Sequence, residues 1–382
     1  MKRFFFFTLL GILGCVVFVY LHVNQNEFDS FIFDISSNFM EKNKNENEDS
    51  KDYAYIKPKE SSLNETSTIS INLNINECAP SLKDWKVNDK GEYSMEVQTF
   101  LKTTCDSEKV ECETSTLVGP LLVEKDVMSL EWLKANDLNF VQPGGWWTPT
   151  DCLSRNQVAI IIPFRQREEH LTILLRQLNP ILKRQNLHYR VFVIEQNDDN
   201  NFNRGKLMNV GYQEALNFFP YNCFVFHDVD LIPENDRIDY GCKSSPAHLS
   251  VAVDKFRYEL PYDNIFGGVG MLNKDHFKQI NGFSNIFWFW GGEDDNLSFR
   301  LKKNGLEIHR QSLETARYTM IKHLESTETK EAHELKVFMQ DIEKYAEKDG
   351  LNSLYYDVKS IEINDLFTLI KVDLRKDKDI TF

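Results

Sequence analysis

Apolar positions along the chain fall into three patterns. The first is an unbroken run, Phe4–Val23 (FFFFTLLGILGCVVFVYLHV), with no charge except a protonatable His22 near its end. At about 1.5 Å per residue, about 20 such residues cross ~30 Å of hydrocarbon, so the run predicts a membrane-spanning helix. The second pattern is a set of short apolar runs: VAIIIPF (158–164), YRVFVIEQ (189–196) and CFVFHDVDLI (223–232). These predict buried strands. The third is helical spacing, with Leu171, Leu174, Leu175 and Leu178 after the first strand and an amphipathic stretch over Arg204–Phe219 after the second. Strand and helix alternate, which predicts an α/β sheet with parallel pairs and ligands gathered at strand carboxyl ends.

The flanks of the first run set its orientation. Lys2 and Arg3 precede it, and Asn24, Gln25 and Asn26 follow instead of a small-residue cleavage site. This pattern reads as an uncleaved signal-anchor with residues 1–3 cytosolic, the alternative being a cleaved signal peptide. So short a span suits a thin early-secretory bilayer. Residues 24–110 are polar without sustained periodicity and include NKNENEDSKD at 43–52, so they are expected to form a flexible luminal stem before a catalytic domain over 111–375. The formal charge of −14 disfavours nucleic acid and anionic lipid surfaces, and an anionic ligand must be met by local cations or a metal. Of 7 cysteines, Cys15 lies in the span; Cys78, Cys105, Cys112, Cys152, Cys223 and Cys242 are left for an oxidising lumen, with connectivity open. Asn64-Glu65-Thr66 is a plausible glycosylation site, whereas Asn296-Leu297-Ser298 is expected to fold inward.

Candidate chemistry clusters where the strands end. Asp228-Val229-Asp230 closes the third apolar run, and strand alternation would put both carboxylates on one face to hold a hard divalent ion; the alternative is a pair of solvated acids. Arg165 and Arg167 follow the first strand, and Phe202-Asn203-Arg204 opens a helix. Arginines so placed suit a diphosphate, and Phe164 or Phe202 could stack on a base, although each arginine alone reads as surface charge. In Phe287-Trp288-Phe289-Trp290-Gly291-Gly292-Glu293-Asp294-Asp295, aromatics run through two glycines into three acids. That arrangement can take a proton from a hydroxyl beside a desolvated wall, or equally form a core strand ending in a helix cap. Met320-Ile321-Lys322-His323 puts a thioether and an imidazole three apart on one helical or turn face, a soft set for Mg²⁺ or Mn²⁺ and more simply core plus surface.

Together these segments resemble the β-1,4-galactosyltransferase family. The matching pieces, in family order, are IIPFRQREEHL, FNRGKLMNVGYQEAL, CFVFHDVDLIPEND, VAVDKF, FGGV, INGF, WGGEDDN, MIKH and DGLNSL. The resemblance implies a GT-A fold with a mixed, partly parallel sheet, and inverting, Mn²⁺-dependent transfer from a UDP-sugar. It implies Asp230, Met320 and His323 as metal ligands. Pro163, Phe164, Arg165, Gln166, Arg167, Phe202, Asn203, Arg204, Asp228, Val229, Asp230, Lys255, Ile265, Trp290 and His323 would bind the donor. Tyr262, Gly292, Glu293, Asp294 and Asp295 would bind the acceptor, with Asp294 as general base and the segment after His323 as a lid. It also implies the disulfides Cys112–Cys152 and Cys223–Cys242, and a type II Golgi membrane protein with a luminal catalytic domain; Cys78 and Cys105 lie outside the matched segments and are left as candidates for an extra bridge.

Two departures refine this. Ile265 stands where vertebrate galactosyltransferases of the family carry a Tyr that crowds a 2-acetamido group, so the chain looks like the invertebrate β-1,4-N-acetylgalactosaminyltransferases and UDP-GalNAc is the expected donor. Leu335-Lys336 replaces the usual Arg-Phe pair and Phe289 the usual Gly, which bears on the acceptor, expected to be a terminal β-GlcNAc on a glycan or glycolipid. The competing readings are a galactosyltransferase using UDP-Gal and an inactive sugar-binding scaffold.

Overall fold

The computed structural model describes residues 79, 93–106, 108–113, 117–288, 290–322 and 346–379, and the backbone of two short strands near the N-terminus. Those two, β1 (Thr8–Leu10) and β2 (Val16–Phe18), pair antiparallel. The rest of the expected span Phe4–Val23 lies outside the described residues, and among the described residues no helix is long and apolar enough to cross a membrane. Residues 1–69 and 70–382 are separate units, and the second contains every other element. Its described α-helices are α1 (Met95–Thr104), α2 (Leu130–Asn136), α3 (Glu168–Arg184), α4 (Arg204–Ala215), α5 (Lys274–Gln279) and α6 (Glu293–Lys303).

The centre of this unit is an eight-stranded mixed sheet. The strands β4 (Gln157–Phe164), β5 (His188–Gln196) and β6 (Cys223–His227) are mutually parallel about β4. The strand β13 (Thr368–Asp373) adds parallel to β5, and β12 (Asp357–Ile363) pairs antiparallel with β13. On the other side β10 (Val269–Asn273) runs antiparallel to β6, and β8 (Ala247–His248) antiparallel to β10. A short β3 (Trp146–Trp147) pairs with the start of β5.

The continuous apolar runs are explained by burial on both faces. In β4, Val158, Ile160, Ile162 and Phe164 join one core and Ala159 and Ile161 the other, and β5 and β6 divide likewise. A strand covered on both sides has no solvent face to carry polar residues. Helix α3 packs its predicted leucines into the first core, and α4 supplies Leu207, Met208 and Val210 to the second. The latter helix stops at Ala215, short of the expected Phe219, because Asn217 and Phe218 turn back onto Glu214 and Ala215 through N–H bonds.

Two boundaries differ from expectation. Within the expected stem, α1 is a helix of the body, capped by Ser94. Its buried Glu96 accepts from Arg190 at 2.8 Å and from the Tyr221 hydroxyl at 2.6 Å, and lies 3.1 Å from His188. Val97, Phe100 and Leu101 join the second core, too few apolar positions for a periodic signal. At the other end the body continues past 375, since Asp379 accepts from the Trp288 indole at 2.6 Å and from Lys206. Cys112–Cys152 and Cys223–Cys242 are joined as implied, and Cys105 is also in a disulfide, whereas Cys78 lies outside the described residues.

Candidate active site

The parallel strands deliver their following loops to one edge of the sheet, and one guanidinium ties those loops together. Arg204, the first residue of α4, donates from Nε to Asp228 at 2.5 Å, from Nη1 to Glu293 at 3.2 Å and from Nη2 to the Gly268 carbonyl at 3.0 Å. Burial works against its charge, but Asp228, Glu293 and Asp294 outweigh it and raise its pKa, so Arg204 stays cationic. Asn203 cannot offer its side chain to a ligand: it is fully buried, its Oδ1 caps α4 at Lys206 and its Nδ2 donates to Asn285.

The three acids stand in the first turn of α6, after Gly292 at φ 98°. The aromatic stretch before them is loop rather than strand, with Phe287 and Trp288 buried and Trp290 60% exposed; Phe289 lies outside the described residues. The helix N-terminus favours the acids, yet burial and crowding dominate. Burial and the neighbouring Asp294 push the Glu293 carboxyl up to about 7, and its Oε2 is buried without a hydrogen-bond partner. Burial and Asp295 raise Asp294 as well. Tyr262 joins them, its hydroxyl donating to Asp295 at 2.9 Å, and burial and the acids raise its own pKa. Beneath Asp294 lies Gly267, where a Cβ would sit 2.5 Å from Asp294 Oδ2, so only glycine lets the carboxylate rest there. Gly268, at φ +80°, brings its carbonyl to Arg204. The FGGV segment was legible only as a family piece; its role as the floor of the acid cluster was not.

Of the implied metal ligands, Asp230 and Met320 lie within the described residues. The third apolar run breaks at His227, so Asp228 and Asp230 belong to a turn and strand alternation does not align them. What places Asp230 is a second sheet, in which β11 (Arg317–Met320) lies between β7 (Leu231–Pro233) and β9 (Ala252–Val253). There Met320 pairs with Leu231, and the Ile321 N–H donates to the Asp230 carbonyl at 2.8 Å. Met320 thus ends a strand, not a helix or turn, and stands beside Asp230, which is 8% exposed. His323 lies outside the described residues, as do Leu335, Lys336 and the expected lid. Among the described residues no three His, Cys, Asp or Glu side chains converge as a metal cage, so a cation at Asp230 would draw on Met320 and on a group beyond them. The carboxylate and thioether fit two of the three implied ligands.

Around this centre the remaining residues expected to bind the donor divide. Pro163, Phe164 and Val229 are buried, and Phe164 and Val229 belong to the first core, so Phe164 is no base-stacking platform. Phe202 is half-buried with the Arg165 guanidinium 5.3 Å from its ring centre, and Arg165 also donates to Asn200 at 2.7 Å. Gln166 (φ 53°) is exposed and Arg167 half-buried at the start of α3, and Lys255 is exposed beyond β9. Ile265 is half-buried two residues before Gly267. Asn296 is 5% exposed and accepts from Arg300 at 2.6 Å, which closes the second glycosylation motif as expected.

Comparison with known proteins places this geometry. Residues 111–243 match the family described as the N-terminal region of glycosyl transferase group 7, and residues 247–324 match the N-terminal domain of galactosyltransferase. β-1,4-Galactosyltransferase 1 of Mus musculus is 46% identical over 263 residues, 69% of this chain and 66% of the relative, just under two thirds of its length. β-1,4-Galactosyltransferase 2 of Homo sapiens is 44% identical over 260 residues, 68% of this chain and 70% of the relative. The crystal structure of the catalytic domain of Drosophila β-1,4-galactosyltransferase 7 in complex with xylobiose aligns with TM-score 0.52 and 31% identity, over 59% of this chain and 100% of that one. The mixed α/β sheet is thus of the GT-A kind. The chain belongs to the β-1,4-galactosyltransferase family.

Proposed function

We propose that the protein is an inverting glycosyltransferase that moves GalNAc from UDP-GalNAc to the 4-hydroxyl of a terminal β-GlcNAc, in a Mn²⁺-dependent reaction. In this reading it resides in the Golgi membrane, anchored by Phe4–Val23 with the catalytic domain luminal. One observation carries the reaction class: Arg204, Asp228, Gly267–Gly268 and the Glu293–Asp295 acids come from four separate stretches and meet at one point.

The chemistry follows from their states. Asp294 takes the proton of the acceptor hydroxyl as that oxygen attacks the anomeric carbon and the bond from that carbon to the UDP oxygen breaks. Attack opposite the leaving group turns an α-linked donor into a β-glycoside. The raised pKa of Asp294 makes it a stronger base than a solvated carboxylate, and the cationic Arg204 keeps Asp228 and Glu293 from repelling it unopposed. Glu293 Oε2, buried and lacking a partner, is suited to accept from a sugar hydroxyl or amide. Arg165 and Arg167 lie where a diphosphate would meet the strand ends. Asp230, Met320 and His323 would hold Mn²⁺, which when bound supplies positive charge against the departing diphosphate.

The donor assignment rests on Ile265. It offers no hydroxyl and leaves room for a 2-acetamido group, whereas the relatives are named galactosyltransferases, which favours UDP-Gal as the second reading. Purified protein assayed with both donors against a GlcNAc-terminated acceptor, with and without Mn²⁺, decides between them. We expect UDP-GalNAc to have the higher kcat/KM, Ile265→Tyr to shift the ratio toward UDP-Gal, and chelation to abolish turnover. Equal donor ratios in wild type and Ile265→Tyr would remove the GalNAc assignment, and turnover surviving exhaustive chelation would remove the metal.

A further inference from the structure

The loop that carries Ile265, Gly267 and Gly268 is held from behind by three side chains without a role in the reaction above. Arg310, half-buried, donates from Nη2 to the carbonyls of Asp263 at 2.9 Å and Ile265 at 2.8 Å, and from Nε to His248 Nδ1 at 3.3 Å. A guanidinium only donates, so His248 Nδ1 must accept, and the proton of a neutral imidazole then sits on Nε2. That nitrogen lies 2.9 Å from the Gly267 carbonyl and donates to it. Burial, with Arg310 adding to it, holds the imidazole down at about 4, so the ring is neutral near pH 7. Ser250 supplies a second donor to the Gly267 carbonyl at 3.1 Å while accepting from the Val269 N–H at 2.8 Å.

The anchor itself is sheet. His248 is 1% exposed, pairs with Gly270 across β8 and β10, and donates its backbone N–H to the His309 carbonyl at 2.9 Å. The chain of contacts runs from Arg310 through His248 to Gly267, the residue on which Asp294 rests. A branch of it runs from Arg310 directly to Ile265.

We propose that Arg310 and His248 are positioning residues that set Gly267 under Asp294 and Ile265 beside the donor, so that base geometry and donor choice depend on one clamp. Arg310 fixes the tautomer, and the tautomer fixes the nearer of the two donors that hold Gly267. The inference rests on Asp294 as base and Ile265 as the donor-selecting residue. Loss of the clamp frees a glycine loop to shift under the carboxylate, and displacements of about 1 Å at a reacting group cost ~100-fold in rate.

The test uses the full-length protein in detergent, with three variants: Arg310→Met, His248→Phe and His248→Gln. Each is assayed with UDP-GalNAc and UDP-Gal, with active sites counted by UDP binding and thermal unfolding recorded alongside. Arg310→Met and His248→Phe are expected to lower kcat per site about 10-fold or more, and Arg310→Met to move the donor ratio by at least about threefold. In His248→Gln the amide can both accept from Arg310 and donate to Gly267, so kcat returns to within about threefold of wild type. A lowered Tm with kcat per site and donor ratio unchanged in Arg310→Met and His248→Phe overturns the proposal. Arg310→Met, at a half-buried site, decides the matter if His248→Phe does not fold. Asp294→Asn, run in parallel, separates the two levels. If it keeps turnover, the base assignment fails; if it is inactive while the clamp variants are kinetically normal, the clamp alone fails.

Discussion

Two buried ionic clusters in this molecule use the same groups to opposite ends. At Glu96 both carboxylate oxygens are occupied, by Arg190, Tyr221 and His188. Burial there works to raise the carboxyl, but those partners outweigh it and hold it below the usual range. At Glu293 one oxygen reaches Arg204 and the other reaches nothing, while Asp228 and Asp294 crowd the same guanidinium. Burial there wins, and the carboxyl rises to about 7. A satisfied carboxylate ties α1 to the sheet, whereas a half-satisfied one among other acids holds its proton up to about pH 7. The ratio of acids to cations, more than burial, separates the two clusters.

Asp294→Asn should set the two clusters furthest apart. It should reduce kcat about a thousandfold, within the 10²–10⁴ range of general-base catalysis, and leave UDP binding and the unfolding curve intact. Glu96→Ala should do the reverse. Stranding Arg190 in the interior should cost about 3–5 kcal/mol in urea denaturation, with kcat per folded molecule unchanged. Loss of turnover per folded molecule in Glu96→Ala would show that this cluster also serves the site.

Smaller effects concern how the acids titrate. After burial, Asp295 is the charge that pushes Asp294 up, so Asp295→Asn should move the acidic limb of the kcat/KM profile to lower pH. An unmoved limb would take the titrating group away from Asp294. For Glu293 the folded-state pKa of about 7 lies above the ordinary 4.5, so folding is favoured by its protonation. Its contribution to stability is complete below about 4.5 and is lost as pH rises through about 7. Glu293→Gln should therefore flatten the pH dependence of Tm across that window and raise Tm relative to wild type at pH 8. A parallel offset of the two curves would contradict the raised pKa.

Much of this was legible in order rather than in geometry. The runs at 158–164 and 189–196 and the leucines of α3 declared the parallel core because burial on both faces leaves no ambiguity in pattern. The run at 223–232 read as one strand because Asp228 and Asp230 sit among apolar neighbours, and composition alone does not mark the turn that separates β6 from β7. Helix α1 escaped notice because a ten-residue segment held by one buried ion cluster carries little periodicity. The Arg310–His248 clamp carries no local signal at all, since its partners are backbone carbonyls 45 and 19 positions away.

Residue types and their order were enough to determine the alternating strands and helices, the acids after paired glycines, the disulfide partners through family likeness and the candidate donor selector Ile265. Those properties live in local pattern and in side-chain chemistry. Tertiary structure alone decided that the Asp230 backbone lies beside the strand end at Met320, that Arg204 reaches acceptors on three separate stretches, and that Glu293 stays half-satisfied while Glu96 does not. Each of these depends on which distant loops the sheet brings to one edge, and on how much water is left there to share the charge.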